Sequence, residues 1–100
     1  MAVIKDTFFN VVGSVDETGT VRNRFSQVVG QVSLSGEVLN ASGRIIGYAS
    51  EGGSIYNASR DHVGFDAFGT IQNRSNSTVG YGDLFDSGVY RAGAALLLLL

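Results

Sequence analysis

The chain of 100 residues contains no cysteine and no proline. Without cysteine there is no disulfide framework and no thiolate metal site, and the redox compartment is left open. The lack of proline, together with a charged content of only 16%, sets the chain apart from a disordered linker. Positive charge is also scarce. Seven Lys and Arg stand against nine Asp and Glu, for a formal net charge of −2, so there is no overall pull toward nucleic acid. Histidine occurs once, at His62, with only Asp61 beside it, which is too little for a metal site or an acid–base pair. The first residues, Met1-Ala2-Val3-Ile4-Lys5-Asp6, lack the apolar core of a signal peptide, and a cytoplasmic protein is expected. The one long apolar run, Ala92 to Leu100, would span roughly 13 Å as a helix, against the ~30 Å of a bilayer core. No transmembrane segment is expected.

Glycine, by contrast, is abundant, with 14 copies, and it is periodic. Two mostly apolar residues followed by glycine recur at Val11-Val12-Gly13, Val28-Val29-Gly30, Ile45-Ile46-Gly47, His62-Val63-Gly64 and Thr78-Val79-Gly80, so that the glycines step by 17, 17, 17 and 16. Between them runs glycine-x-aliphatic-x-asparagine, as in Gly19-Thr20-Val21-Arg22-Asn23 and Gly53-Ser54-Ile55-Tyr56-Asn57. A regular repeat means that each unit solves the same burial problem as its neighbours. Seventeen residues are too few for a strand–helix–strand crossover but suit two strands and two turns. In one unit Glu37 to Asn40 reads as a strand, Ala41-Ser42-Gly43 as a turn, Arg44 to Ala49 as the returning strand and Ser50 to Gly53 as the next turn. Gly43 stands where such a hairpin needs a left-handed residue. Its equivalents are Phe9, Ser26, Arg60 and Asn76. Only Asn76 shares its tolerance of positive φ, so the turns need not all be of the same type.

Two columns are apolar in every copy: Ile4, Val21, Val38, Ile55, Ile71 and Val89, and Val12, Val29, Ile46, Val63 and Val79. Strand alternation places both inward, puts the Val11, Val28, Ile45, His62 and Thr78 column outward, and gives the inward parity to Ser14, Gln31, Tyr48, Phe65 and Tyr81 near a rim. The Gly13-to-Gly80 column is expected at a bend or close strand contact. Gly88 to Arg91 continues the pattern as one last strand, so about five hairpins and a strand are expected, followed by a helix over residues 92–100. Alanine and leucine favour helix over strand, and a helix apolar on every side must be enclosed on every side, which a ring of hairpins can do.

Units such as Ile55-Tyr56-Asn57-Ala58-Ser59-Arg60-Asp61-His62-Val63-Gly64, followed by an Ala/Leu-rich end, resemble the small bacterial β-flower proteins. The resemblance runs from Val3 to Leu100. It implies a single mainly-β domain over residues 1–100, in which hairpin petals form a shallow barrel around a hydrophobic C-terminal helix, similar in shape to tubby-like and scramblase-like barrels. It carries no catalytic residues to transfer. A β-solenoid of three-sided coils with an asparagine ladder also fits the period.

If the units are hairpins, alternate turns point to opposite ends of the ring, and charge then sorts. Lys5, Arg22, Arg24, Arg44, Arg60, Arg74 and Arg91 fall on the asparagine side with Asp6 and Asp61, while Asp16, Glu17, Glu37, Glu51, Asp66, Asp83 and Asp86 fall on the other. Arg24, Arg44, Arg60 and Arg74 are the candidate rim for an anion or lipid surface.

Other motifs carry little. Ser26, Ser42, Ser59 and Ser75 recur beside turns, and Asn23, Asn40, Asn57 and Asn73 open them, as side-chain-to-backbone bonding requires. The Asn-x-Ser/Thr triplets are by-products of the repeat, Gly80-Tyr81-Gly82 lacks the rest of a nucleotide fingerprint, and the acids near Asp83 lack calcium-loop spacing. Stacking of nucleic acid on the aromatics does not suit the net acidity. With no nucleophile or acid–base constellation, the sequence points to a non-enzymatic interaction or scaffolding module without cofactor or metal. Its expected partner is an unknown protein or, as the alternative, an anionic lipid surface met by the basic rim or the leucine tail, and no nucleic acid.

Overall fold

A computed structural model gives the fold and describes residues 1–83 and 88–100. Ten strands precede one helix: β1 (Ala2–Asp6), β2 (Val11–Val15), β3 (Thr20–Asn23), β4 (Val28–Val32), β5 (Glu37–Asn40), β6 (Ile45–Ala49), β7 (Ser54–Asn57), β8 (His62–Ala67), β9 (Thr70–Asn73), β10 (Thr78–Gly82) and α1 (Gly88–Leu98). All pairings are antiparallel between chain neighbours, and β1 pairs with β10, closing the barrel. The five petals are the hairpins β1–β2, β3–β4, β5–β6, β7–β8 and β9–β10, petals 1 to 5. The extents of 29 × 29 × 22 Å fit a shallow ring around one axis. Closed pairing of this kind excludes the solenoid reading.

The expected last strand is absent. Gly88 to Arg91 forms the first turn of α1. β1 and β10 satisfy each other, so the barrel offers an eleventh strand no edge. The enclosed helix is as expected: Val89 and Ala92 to Ala95 are buried within the ring.

Ile4, Val21, Val38, Ile55 and Ile71 have no solvent exposure. In every petal the register slips once, so that Val12, Val29, Ile46, Val63 or Val79 is the unpaired extra residue of a β-bulge. These five are half-buried and pack on the core. The bulge resets the alternation by one residue. Gly13 and Val15 therefore face inward with their repeats, and the Ser14, Gln31, Tyr48, Phe65 and Tyr81 column lies on the outer face, against the inward parity expected from unbroken alternation. Gln31, for example, bonds on the outside to Thr20 and the Thr18 carbonyl.

All five hairpin turns share one conformation, which residue preference at this position did not require. Phe9, Ser26, Arg60 and Asn76 have φ between 64 and 67°, matching Gly43 at 81°. The left-handed cost is of order 1–2 kcal/mol, and the first residue of each turn offsets it. Asn23 accepts bonds on Oδ1 from the Phe25 and Gln27 backbone N–H groups, and Asn40, Asn57, Asn73 and Asp6 do the same in their turns. The Ser26 N–H then donates to the Asn23 carbonyl. The recurrent asparagines are turn caps.

Candidate functional site

The helix meets the ring differently at its two ends. Its middle, Ala92-Gly93-Ala94-Ala95, is small, and close packing follows. A β-carbon added at Gly93 would fall on the Val32 methyls, and Tyr90 lies against Gly19. At the other end each leucine lies over a different glycine of the Gly13 column. Leu96 covers Gly47, Leu97 Gly30, Leu98 Gly13, Leu99 Gly80 and Leu100 Gly64. Successive leucines thus step around the ring one petal at a time. Five petals divide the circle into steps of about 72°, whereas an α-helix advances about 100° per residue. The helix resolves this by loosening at its end. The Leu100 N–H reaches back to the Ala95 carbonyl, one residue further than an α-helical bond.

Leu96 to Leu99 are only half-buried, and Leu100 is 37% exposed. They form an apolar rosette at the asparagine level of the barrel, inside the cup of petal tips. Leu96, Leu99 and Leu100 share a pocket with Asn57 and Asn73. The tips bear the predicted rim. Arg24, Arg44, Arg60 and Arg74 are all exposed, one on each of petals 2 to 5. None is within ion-pair distance of a carboxylate among the described residues. Arg24 lies over the Phe25 ring at 5.0 Å and Arg60 over Tyr48 at 4.2 Å, cation–π contacts that leave hydrogen-bond donors free. Phe8, Phe9 and Phe25 stand exposed on the tips of petals 1 and 2. Phe9 also stacks on Tyr81 of the adjoining petal, with ring centroids 5.0 Å apart. Sequence reasoning located the arginines but missed that the leucines and phenylalanines share their face. The signal was present in Phe8, Phe9 and Phe25, large rings in turns at the edge of the fold that remain mostly exposed.

Two of the seven basic residues leave the rim. Arg22 bonds Asp16 at 3.0 Å. The Thr18 hydroxyl, helped by Arg22 and the Thr18 and Thr20 backbone N–H groups, holds the Asp16 carboxyl well below its ordinary range, against a smaller opposing effect of burial. Arg91 is 7% exposed within α1, where its Nε donates to Asp66 Oδ2 at 2.6 Å. Asp66 is buried too, and its Oδ1 accepts from the Gly69 N–H at 2.8 Å. The repeat explains the position. Asp66 occupies the inward site that is Val15, Val32 and Ala49 in petals 1 to 3, and the corresponding Gly82 of petal 5 leaves room for the Arg91 stem. An inward aspartate and one arginine in an otherwise apolar tail are the sequence signal of this pair. Of the remaining acids, Asp6 and Asp61 stay in the tip turns of petals 1 and 4 with the arginines, Glu17, Glu37, Glu51 and Asp83 belong to the other half of the repeat, and Asp86 lies outside the described residues.

His62 is exposed and meets Tyr56 edge-on at 5.5 Å. Among the described residues no three His, Asp or Glu side chains gather as metal ligands, and no helix is long and apolar enough to cross a membrane. No curated protein and no solved structure matches the chain. A family model does, over residues 2–98. Its five-fold ring is the closed set of five hairpins described above, and the chain belongs to the 5-fold beta-flower protein family.

Proposed function

We propose that this protein is a non-enzymatic binding module of the cytoplasm that docks through its petal-tip face, and that the surface this face fits is an anionic lipid bilayer. One observation carries the reading: exposed Arg24, Arg44, Arg60 and Arg74 stand on four petal tips around the half-exposed Leu96–Leu99 rosette, with exposed Phe8, Phe9 and Phe25 on the tip turns of petals 1 and 2, Arg60 and Phe9 leaning on the outer-face rings of Tyr48 and Tyr81. A planar interface with phosphates outside and hydrocarbon inside offers a partner to each group. Guanidinium groups take phosphate oxygens in bidentate fashion, and aromatic rings and leucines enter the acyl boundary. Each arginine near an anionic leaflet contributes about 1 kcal/mol, and the cytoplasmic leaflet is the one that carries that charge. An acidic protein surface would satisfy the arginines but gives the central leucines no equally general partner.

The test is vesicle flotation with phosphatidylserine-containing and pure phosphatidylcholine vesicles, at about 0.05 and 0.5 M salt. Retention on the anionic vesicles at low salt, weakened at high salt and abolished by joint replacement of the four arginines by glutamine, is the expected result. Equal binding to both vesicle types, salt-insensitive binding or no binding would remove the bilayer reading.

A further inference from the structure

The rosette is not continuous. Between petals 4 and 5 it leaves a pocket of about 380 Å³ lined by Val63, Val79, Leu96, Leu99 and Leu100, with Asn57 and Asn73 completing the wall. Its place follows from two departures from symmetry. Petal 5 follows petal 4 after 16 residues where the others step by 17. The loosened helix end also has to carry Leu100 sideways to reach Gly64. We infer that this opening is a binding site for a single-chain aliphatic carboxylate.

The volume is in the range of small-ligand sites, about 300–1,000 Å³, which are mostly apolar with a few oriented polar groups. Here the body of the site is aliphatic, which selects a hydrocarbon chain. The polar groups select the head. Asn57 and Asn73 use Oδ1 in their turns, accepting from Ser59 and Asp61 and from Ser75 and Ser77. Their Nδ2 groups carry no hydrogen bond among the described residues. In petal 2 the same amide is already occupied, with Asn23 Nδ2 donating to Gln27 at 3.0 Å. The two amides lining the wall between petals 4 and 5 therefore have their Oδ1 acceptors engaged and their Nδ2 donors uncommitted among the described residues, which suits an oxygen-bearing, acceptor-only head. Arg74 directly follows Asn73 at the tip and has no carboxylate or ring partner among the described residues. Arg74 stands outside the lining residues, and its place beside Asn73 assigns it the charge that makes the preferred head an anion. Arg60, the cation on the tip of petal 4, leans away on Tyr48 of petal 3, so Arg74 is the residue assigned to distinguish carboxylate from alcohol.

The site requires no membrane, and monomeric decanoate in buffer is the probe. In titrations followed by amide NMR, decanoate is expected to shift the Gly64 and Gly80 signals and leave those of Gly13 and Gly30 in place. Val79→Phe should abolish binding, whereas Val29→Phe, the same bulge position in petal 2, should not. Arg74→Gln should weaken decanoate about tenfold, the size of one charge-assisted contact, while decanol binds the wild-type and Arg74→Gln proteins equally. Shifts spread evenly over all the seat glycines, or no saturable shift, would overturn the inference even if Val79→Phe fails to fold. Flotation on phosphatidylserine vesicles, run in parallel, reads the petal-tip face separately. Loss of vesicle binding with decanoate binding intact, or the reverse, tells the two proposals apart.

Discussion

Among the described residues a single buried carboxylate, Asp66, separates one petal from the rest. Asp66 and Arg91 are 1% and 8% exposed at their side chains and 2.6 Å apart, so removing one partner strands the other charge in the core. Asp66→Ala is expected to cost about 3–5 kcal/mol by urea unfolding. Restoring the repeat with Asp66→Val together with Arg91→Leu should recover most of that loss or all of it, because a packed apolar pair of similar volume is commonly no worse than a buried ion pair. The Arg22–Asp16 pair is much more open, and Arg22→Ala should cost no more than about 1 kcal/mol. Asp16 also sets a pH dependence. Its folded carboxyl titrates below the unfolded one, so the unfolded chain takes up protons first. The stabilisation is complete above the unfolded value of about 3.9 and fades as pH falls further. In acid titrations followed by circular dichroism, Asp16→Ala should be less stable at neutral pH and show a shallower loss below pH ~4. At this scale the sequence was partly legible. The caps at Asn23, Asn40, Asn57 and Asn73 could be read from recurrence, but the left-handed Phe9, Ser26 and Arg60 could not. Their conformation is imposed by the bonds those caps make, and residue preference alone argues against it. Ser26→Gly should accordingly raise stability, by up to about 1 kcal/mol in thermal melts.

The petals were legible as elements because their period is too short for a strand–helix–strand unit and their glycines mark where the chain must bend or approach, while the solenoid that also fits the period is excluded only by the closed antiparallel pairing. The start of the helix was not. Gly88-Val89-Tyr90-Arg91 carries the strand pattern, and only barrel closure, a contact between residues some 80 positions apart such as Ile4 and Gly82, denies it a partner. The bulges were hidden as well, since an extra residue shows only in the pairing of two strands, and they moved the Ser14 column to the outer face. The glycine column is where helix and petals make their closest fit. A methyl at Gly47 would fall on the Tyr56 carbonyl oxygen and on Leu96. The backbone oxygen cannot yield, so Gly47→Ala should destabilise by about 2 kcal/mol or more. Leu97→Asp removes the residue seated on Gly30 and places a carboxylate against aliphatic walls. It should abolish cooperative unfolding, whereas Leu100→Asp, at the exposed end of the row, should fold and melt cooperatively. A Leu97→Asp protein that melts like wild type would mean that the rosette contributes little to holding the helix.

The whole molecule sets a helix of 3.6 residues per turn inside a ring of five, and no rotation of the helix can satisfy both periods. A ring of five identical petals would offer five equivalent seatings about 72° apart, separated only by the connection from β10. Among the described residues the chain breaks this degeneracy with the one buried carboxylate, Asp66, the one buried arginine, Arg91, and the gap at Gly82 that admits the arginine stem. A buried polar pair used in this way specifies an arrangement and need not add stability. The two properties are therefore expected to separate. In the Asp66→Val/Arg91→Leu protein, urea unfolding should show stability near or above wild type, while the amide signals of Gly13, Gly30, Gly47, Gly64 and Gly80, each under a different leucine, should split or broaden as the helix samples more than one seating. The pocket between petals 4 and 5 should then lose its identity, and decanoate shifts should spread to other seat glycines. A double variant with one sharp signal per glycine at the wild-type positions would show that packing of Gly93 on Val32 and of Tyr90 on Gly19 already fixes the rotation. The ion pair would then be a substitution the core tolerates, with no part in choosing the seating.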